Sequence, residues 1–98
     1  MLTLYGTKGS GSAAVEAALA VAGLEARLVD AASWQESPGL EALKKVNPLA
    51  QIPTLVLDDG SVLSESAAIL IHLGLVSPDS GLLAADPSVR AQQIRGLV

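Results

Sequence analysis

The sequence predicts an α/β domain with a sheet of about four strands, in the element order β-α-β-α-β-β-α. Three observations carry this reading. A strand, an Ala-rich helix and a second strand fit within the first thirty residues. Asp58-Asp59-Gly60 separates two short apolar runs, and helix-starting residues precede apolar repeats after Ser37 and after Ser64.

Residues 2–5 (LTLY) are β-formers stopped by Gly6 and read as a buried strand. A loop of small residues runs from Gly6 to Ser12. The stretch from Ala13 to Ala22 is rich in Ala, the strongest helix former, and ends at Gly23, a common residue just past a helix. Residues 26–29 (ARLV) supply a second strand, and a strand-helix-strand unit makes the two strands parallel with a right-handed crossover. Ser37-Pro38 starts the next helix, with Ser as cap and Pro in the first turn. Leu40, Leu43 and Val46 then recur at helical spacing until Asn47-Pro48 ends the run. Residues 54–57 and 61–63 flank Asp-Asp-Gly, the turn chemistry of an antiparallel hairpin. Ser64-Glu65-Ser66 is expected to cap a helix bearing Ile69, Leu70, Ile71 and Leu73. The composition shifts towards a linker from Gly74 to Asp86. Asp86-Pro87 opens a last helix with Val89, Ile94, Leu97 and Val98 as its apolar stripe.

Composition excludes several classes of function. The chain has 98 residues, half of them apolar, and a net charge of −4. With 2% aromatic residues the core must be built from Leu, Val, Ile and Ala, and no platform exists on which bases would stack. The six Lys and Arg form no patch larger than Lys44-Lys45, so neither nucleic acid nor an anionic membrane is expected as a partner. The absence of cysteine removes disulfides, thiolate metal sites and Cys-x-x-Cys redox chemistry. His72 is the single histidine, and no metal is expected. The chain opens on a strand-like segment without a signal-peptide pattern, and Ala13 to Leu24 is too short to span a bilayer. A cytoplasmic protein is expected.

Three segments, in order, resemble one family. LYGTKGSGSAAVEAAL is similar to the strand-loop-helix opening of bacterial cytosolic glutathione transferases. VNPLAQIPTLVLDDG resembles their Asn-Pro…(Val/Ile)-Pro-x-Leu segment and the hairpin after it, and LSESAAIL resembles their Glu-Ser motif leading into a helix. The resemblance implies a thioredoxin-like fold, with a four-stranded mixed sheet flanked by helices, and a cis peptide at Ile52–Pro53. It assigns residues 1–75 to the glutathione-binding domain and 76–86 to a linker. Residues 87–98 would open the first helix of an all-α C-terminal domain, truncated after its first turns.

The implied ligand and co-substrate is glutathione, with no metal. Its γ-glutamyl end carries a carboxylate and an ammonium, followed by a thiol and a glycyl carboxylate. Glu65-Ser66 sits at a predicted helix start, where free N–H groups and the helix dipole attract an anion and Glu65 can take the ammonium. Read alone, an acid there only complements the dipole, worth roughly 0.3–1 kcal/mol. The Gln51-Ile52-Pro53 segment upstream, as the family has it, favours the binding role. Ile52 would offer its backbone N–H and C=O to the cysteinyl unit, as an added strand does. Gln51 is a candidate for the peptide backbone of the ligand and Lys45 a weaker one for the glycyl carboxylate.

A free thiol titrates near ~8.5, and a hydroxyl donor near a helix start favours the thiolate. Ser10, in Gly9-Ser10-Gly11, and Tyr5, at the end of the first strand, compete for that role, and the small-residue loop favours Ser10. Without cysteine, cysteine-type members are excluded and thiol-transfer chemistry is disfavoured. His72 and Trp34 read as structural. The expected activity is conjugation of glutathione to a small electrophile, with a homodimer in the full-length protein. The rival is a non-catalytic transferase-like module for protein association. By itself the chain is expected to bind glutathione weakly and turn over little, with an exposed apolar patch on the third helix.

Overall fold

Strand β1 (Leu2–Gly6) sends alternate side chains into two separate cores. Leu4 joins Val15, Ala18, Leu19, Leu55, Ile69 and Leu73 on one face. Tyr5 joins Ala31, Leu40 and Leu43 on the other. A strand covered on both faces has no solvated side, which is why LTLY lacks polar alternation.

The computed structural model describes residues 1–7, 12–32 and 35–97. In it β1 pairs in parallel with β2 (Ala26–Asp30) and antiparallel with β3 (Thr54–Val56), and β3 pairs antiparallel with β4 (Val62–Ser64). The strand order is β2-β1-β3-β4, the mixed four-stranded sheet of the thioredoxin-like fold. Helices α1 (Ser12–Ala22) and α3 (Ser66–Val76) cover the Leu4 face, and α2 (Pro38–Val46) covers the Tyr5 face. A single 3-10 turn (Pro78–Ser80) and α4 (Pro87–Leu97) complete the described chain.

Local signals hold at several points. Ser37 caps α2 by accepting the Leu40 N–H at 3.1 Å, with Pro38 as the first helical residue. At the start of α4, Asp86 Oδ1 accepts the N–H groups of Ser88 (2.8 Å) and Val89 (3.3 Å). The Ile52–Pro53 peptide is cis, as the family resemblance rather than any local signal implies.

Other details depart from expectation. The Asp58-Asp59-Gly60 loop forms as expected, but the strand ends shift around it, with β3 stopping at Val56 and β4 running from Val62 to Ser64. Leu57 N–H donates to the Ser61 carbonyl (2.8 Å) and Gly60 N–H to the Leu57 carbonyl (2.9 Å), with Gly60 left-handed at φ 87°. That is a three-residue loop closed by a left-handed residue. Ser64 stays in the sheet opposite Thr54, and the cap position of α3 falls to Glu65, which makes no side-chain cap bond. Helix α3 continues through Gly74 to Val76, beyond the shift in composition. Gly74 is buried there because Leu83 lies against it, and an added Cβ would stand 2.5 Å from Leu83 Cγ. Leu75 and Val76 are exposed at the end of α3, whereas Ile71 and His72 are half-buried. Val89, placed in the apolar stripe of α4, is exposed.

Candidate functional site

The register of the sheet brings the three distant segments to one end of the molecule. Tyr5 pairs with Thr54, and Thr54 pairs with Ser64. With β3 antiparallel to both neighbours, the chain leaves the same sheet end at Gly6-Thr7, arrives there at Ile52-Pro53 and leaves again at Glu65-Ser66. The α1 and α3 helices also begin at this end.

Between the second and third of these segments lies a cleft of about 250 Å³ lined by Gln51, Ile52, Pro53, Glu65 and Ser66. These are the five residues expected to contact the ligand. The β3–β4 hairpin closes the sequence distance between them. Gln51 and Glu65 are exposed at the mouth, Ile52 and Ser66 are half-buried, and Pro53 is buried. Ile52 also packs against the Tyr5 core, so one wall of the cleft is anchored by apolar contact.

Glu65 has φ 71° and ψ 120°, a backbone conformation outside the ordinary regions for a residue with a Cβ. Such a residue costs on the order of 1–3 kcal/mol, and strain of this kind concentrates at functional sites. It turns the chain sharply from β4 into α3, whose first bond runs from Ile69 N–H to the Glu65 carbonyl at 3.1 Å. The N–H groups of Ser66, Ala67 and Ala68 therefore have no acceptor within the helix and point out of its positive end. No acidic residue follows Glu65 in the first turn of α3. The arrangement suits an anion at the helix end beside a carboxylate that suits a cation.

The loop leading to the cleft is held by side chains that sequence reasoning passed over. Asn47 ends α2, and its Oδ1 accepts the Leu49 N–H at 3.2 Å. Its carbonyl accepts the Ala50 N–H at 2.8 Å, closing a turn with Pro48 second and Ala50 left-handed at φ 52°. Asn47 Nδ2 donates to Thr54 Oγ1 at 3.1 Å, and the Thr54 hydroxyl donates to the Gln51 carbonyl at 2.6 Å. Thr54 is fully buried. The Asn-Pro pair was a visible signal of a helix end, but nothing local marks its partnership with Thr54.

The remaining candidates separate. Ser10 and Trp34 lie outside the described residues. The ends of the segment that holds Ser10 are pinned together, because Ser12 Oγ accepts the Thr7 N–H (3.2 Å) and donates to the Thr7 carbonyl (2.9 Å). Gly6 allows this approach, since a Cβ there would collide with Ser12. Tyr5 is 9% exposed, packed between the sheet and α2, and does not line the cleft. Lys45 is exposed in the last turn of α2. His72 is at the other end of the sheet, lining a separate hollow of about 330 Å³ with Leu2, Leu57 and Asp59. There Asp59 accepts the Ser61 N–H at 2.8 Å. That bond, a second from the Ser61 side chain and the nearby His72 charge hold the Asp59 carboxyl below its ordinary pKa, against slight desolvation. Among the described residues no group of three or more His, Cys, Asp or Glu could hold a metal ion, and no helix is long and apolar enough to cross a membrane.

Comparison with known proteins agrees with this fold. A family model described as the glutathione S-transferase N-terminal domain matches residues 12–75. An uncharacterized GST-like protein of Escherichia coli K12, YncG, is 35% identical over 94 residues, which is 95% of this chain and 44% of that protein. The crystal structure of a glutathione transferase homolog from Sulfitobacter with bound glutathione superposes with a TM-score of 0.80 at 35% identity, over 94% of this chain and 44% of that one. A glutathione transferase from Methylococcus capsulatus gives 0.84 at 34% identity, over 99% and 49%. The chain thus spans about half the length of the proteins it matches, or slightly less.

Proposed function

The chain belongs to the glutathione S-transferase N-terminal domain family, and from that membership we propose that it binds glutathione in the cleft between residues 51–53 and 65–66 and presents its thiolate to a small electrophile. The observation that carries this reading is the convergence of Gln51, Ile52, Pro53, Glu65 and Ser66 on one cleft beside the α3 N-terminus.

The γ-glutamyl end and the backbone of the ligand have chemical counterparts there. The γ-glutamyl carboxylate goes to the free N–H groups at the start of α3 and the Ser66 hydroxyl. Glu65 takes the ammonium, and the charge-assisted bonds at both groups are the strong ones of the site. The Ile52 backbone pairs with the cysteinyl unit, and Gln51 reaches the peptide beyond it. Ser10 donates its hydroxyl to the sulfur and favours the thiolate. Burial of Tyr5 away from the cleft supports Ser10 over Tyr5. The thiol releases its proton to solvent, the sulfur lone pair forms a bond to the electrophilic carbon, and the leaving group departs with its electron pair.

In this reading residues 1–75 form the glutathione-binding domain, 76–86 the linker, and α4 the opening of an all-α second domain. That domain supplies the contacts to the electrophile, and the whole protein is a cytoplasmic homodimer. The strain held at Glu65 supports ligand binding over a non-catalytic association module, which has no need of it.

Titration of the isotopically labelled chain with glutathione tests the binding half. Saturable amide shifts centred on Ile52, Glu65 and Ser66, with Ser10 joining them, are expected. A well-folded sample with no shifts up to millimolar glutathione would sink the assignment.

A further inference from the structure

The cleft presents a backbone group, and its direction is set from behind. The Gln51–Ile52 peptide is trans, since Ile52–Pro53 is the cis bond among the described residues. In a planar trans peptide the carbonyl and the following N–H point in opposite directions. The Thr54 hydroxyl draws the Gln51 carbonyl towards the buried side of the loop at 2.6 Å. The Ile52 N–H is thereby turned the other way, towards the cleft that Ile52 lines. Asn47 fixes the hydroxyl in turn. Its Nδ2 donates to Thr54 Oγ1 at 3.1 Å, occupying an acceptor position of that oxygen and leaving its proton for Gln51. The other end of the Asn47 amide is held by the Leu49 N–H at 3.2 Å, so the amide is oriented at both atoms. The result is a relay from the end of α2, through a buried hydroxyl, to the peptide plane at the mouth of the cleft.

We propose that Asn47 and Thr54 are positioning residues that orient the Ile52 N–H for the ligand backbone. The inference rests on the glutathione reading for the identity of that ligand, but the orientation itself is independent of it. Thr54→Val keeps the branched shape and removes the hydroxyl, and Thr54→Ser keeps the hydroxyl. Asn47→Asp keeps the acceptor for Leu49 but replaces the donor by a carboxylate oxygen, which competes with Gln51 for the Thr54 proton.

Two measurements on the labelled chain decide the matter. The first is the residual dipolar coupling of the Ile52 N–H bond without ligand, which reports its direction. It is expected to change in Thr54→Val and Asn47→Asp and to stay at the wild-type value in Thr54→Ser. The second is glutathione affinity, expected to fall about tenfold in the first two variants, the scale of one net hydrogen bond, and to stay within about twofold in Thr54→Ser. An unchanged coupling in folded Thr54→Val overturns the proposal, as does a Thr54→Ser variant as impaired as Thr54→Val. If Thr54→Val does not fold, Asn47→Asp gives the same two readings. A wild-type chain that ignores glutathione while the coupling responds as stated would refute the ligand and support the relay.

Discussion

Replacing Glu65 with glycine should move stability and binding in opposite directions. Glu65 holds φ 71° and ψ 120° and contributes no side-chain bond to the α3 cap. Its side chain is exposed, so removing it opens no cavity. The backbone conformation costs about 1–3 kcal/mol for a residue with a Cβ. Glycine adopts it without that cost but gains unfolded-state entropy worth about 0.4–1 kcal/mol. The difference is a stabilisation between about zero and ~2.5 kcal/mol, with ~1 kcal/mol as the central value. For a domain of this size ~1 kcal/mol raises the thermal midpoint by about 4–8 °C. Glu65→Ala keeps the Cβ and the strain, so its midpoint should stay near that of the wild type. Both variants should lose glutathione affinity, because both lose the carboxylate assigned to the ammonium. Thermal unfolding followed by circular dichroism, with glutathione titration of the same samples, measures both. A Glu65→Gly chain destabilised by more than about 1 kcal/mol would refute the strain argument. Unchanged affinity in Glu65→Ala would refute the binding role.

Further outcomes follow from the same structure. Gly74→Ala should destabilise by about 1–3 kcal/mol, because the new methyl meets buried Leu83 at 2.5 Å; urea unfolding checks this, and a loss under ~0.5 kcal/mol would show that Leu83 repacks freely. Asp59 should titrate below the ordinary carboxylate range, since Ser61 donors favour its charged form. With the folded pKa depressed, its stabilising contribution is complete above the unfolded value near ~3.9 and is lost as pH falls through the lower folded value. Carboxyl carbon shifts against pH would read this, and Asp59→Asn should abolish that part of the acid-limb dependence. Ser10→Ala should raise the pKa of the bound glutathione thiol, followed by thiolate absorbance at saturating ligand, whereas Tyr5→Phe should leave it in place. The reverse result would transfer the role to Tyr5.

Much of the architecture is written in local chemistry. The Ser37-Pro38 start of α2, the Asp86 cap of α4 and the Asp-Asp-Gly turn act within a few residues of themselves, and the structure keeps them. The family motifs likewise named the five residues of the cleft, because each motif is contiguous in the chain. Element ends were less legible. Gly74 resembles a helix stop by itself, and only the approach of Leu83 shows why the helix needs a glycine there and continues past it.

The resemblance to family motifs named the residues facing the cleft, and the amino-acid order by itself determined the element sequence and the class of fold. It did so because capping, turn formation and apolar periodicity depend on near neighbours. Only the tertiary structure decided that Tyr5 belongs to a core, that Asn47 and Thr54 act together, and that Glu65 carries backbone strain. Those features arise where segments distant in the chain are forced into register: Thr54 between Tyr5 and Ser64, and Glu65 at the bend from β4 into α3. A residue's direction and strain at such a junction are set by the partners on either side, which no local pattern contains.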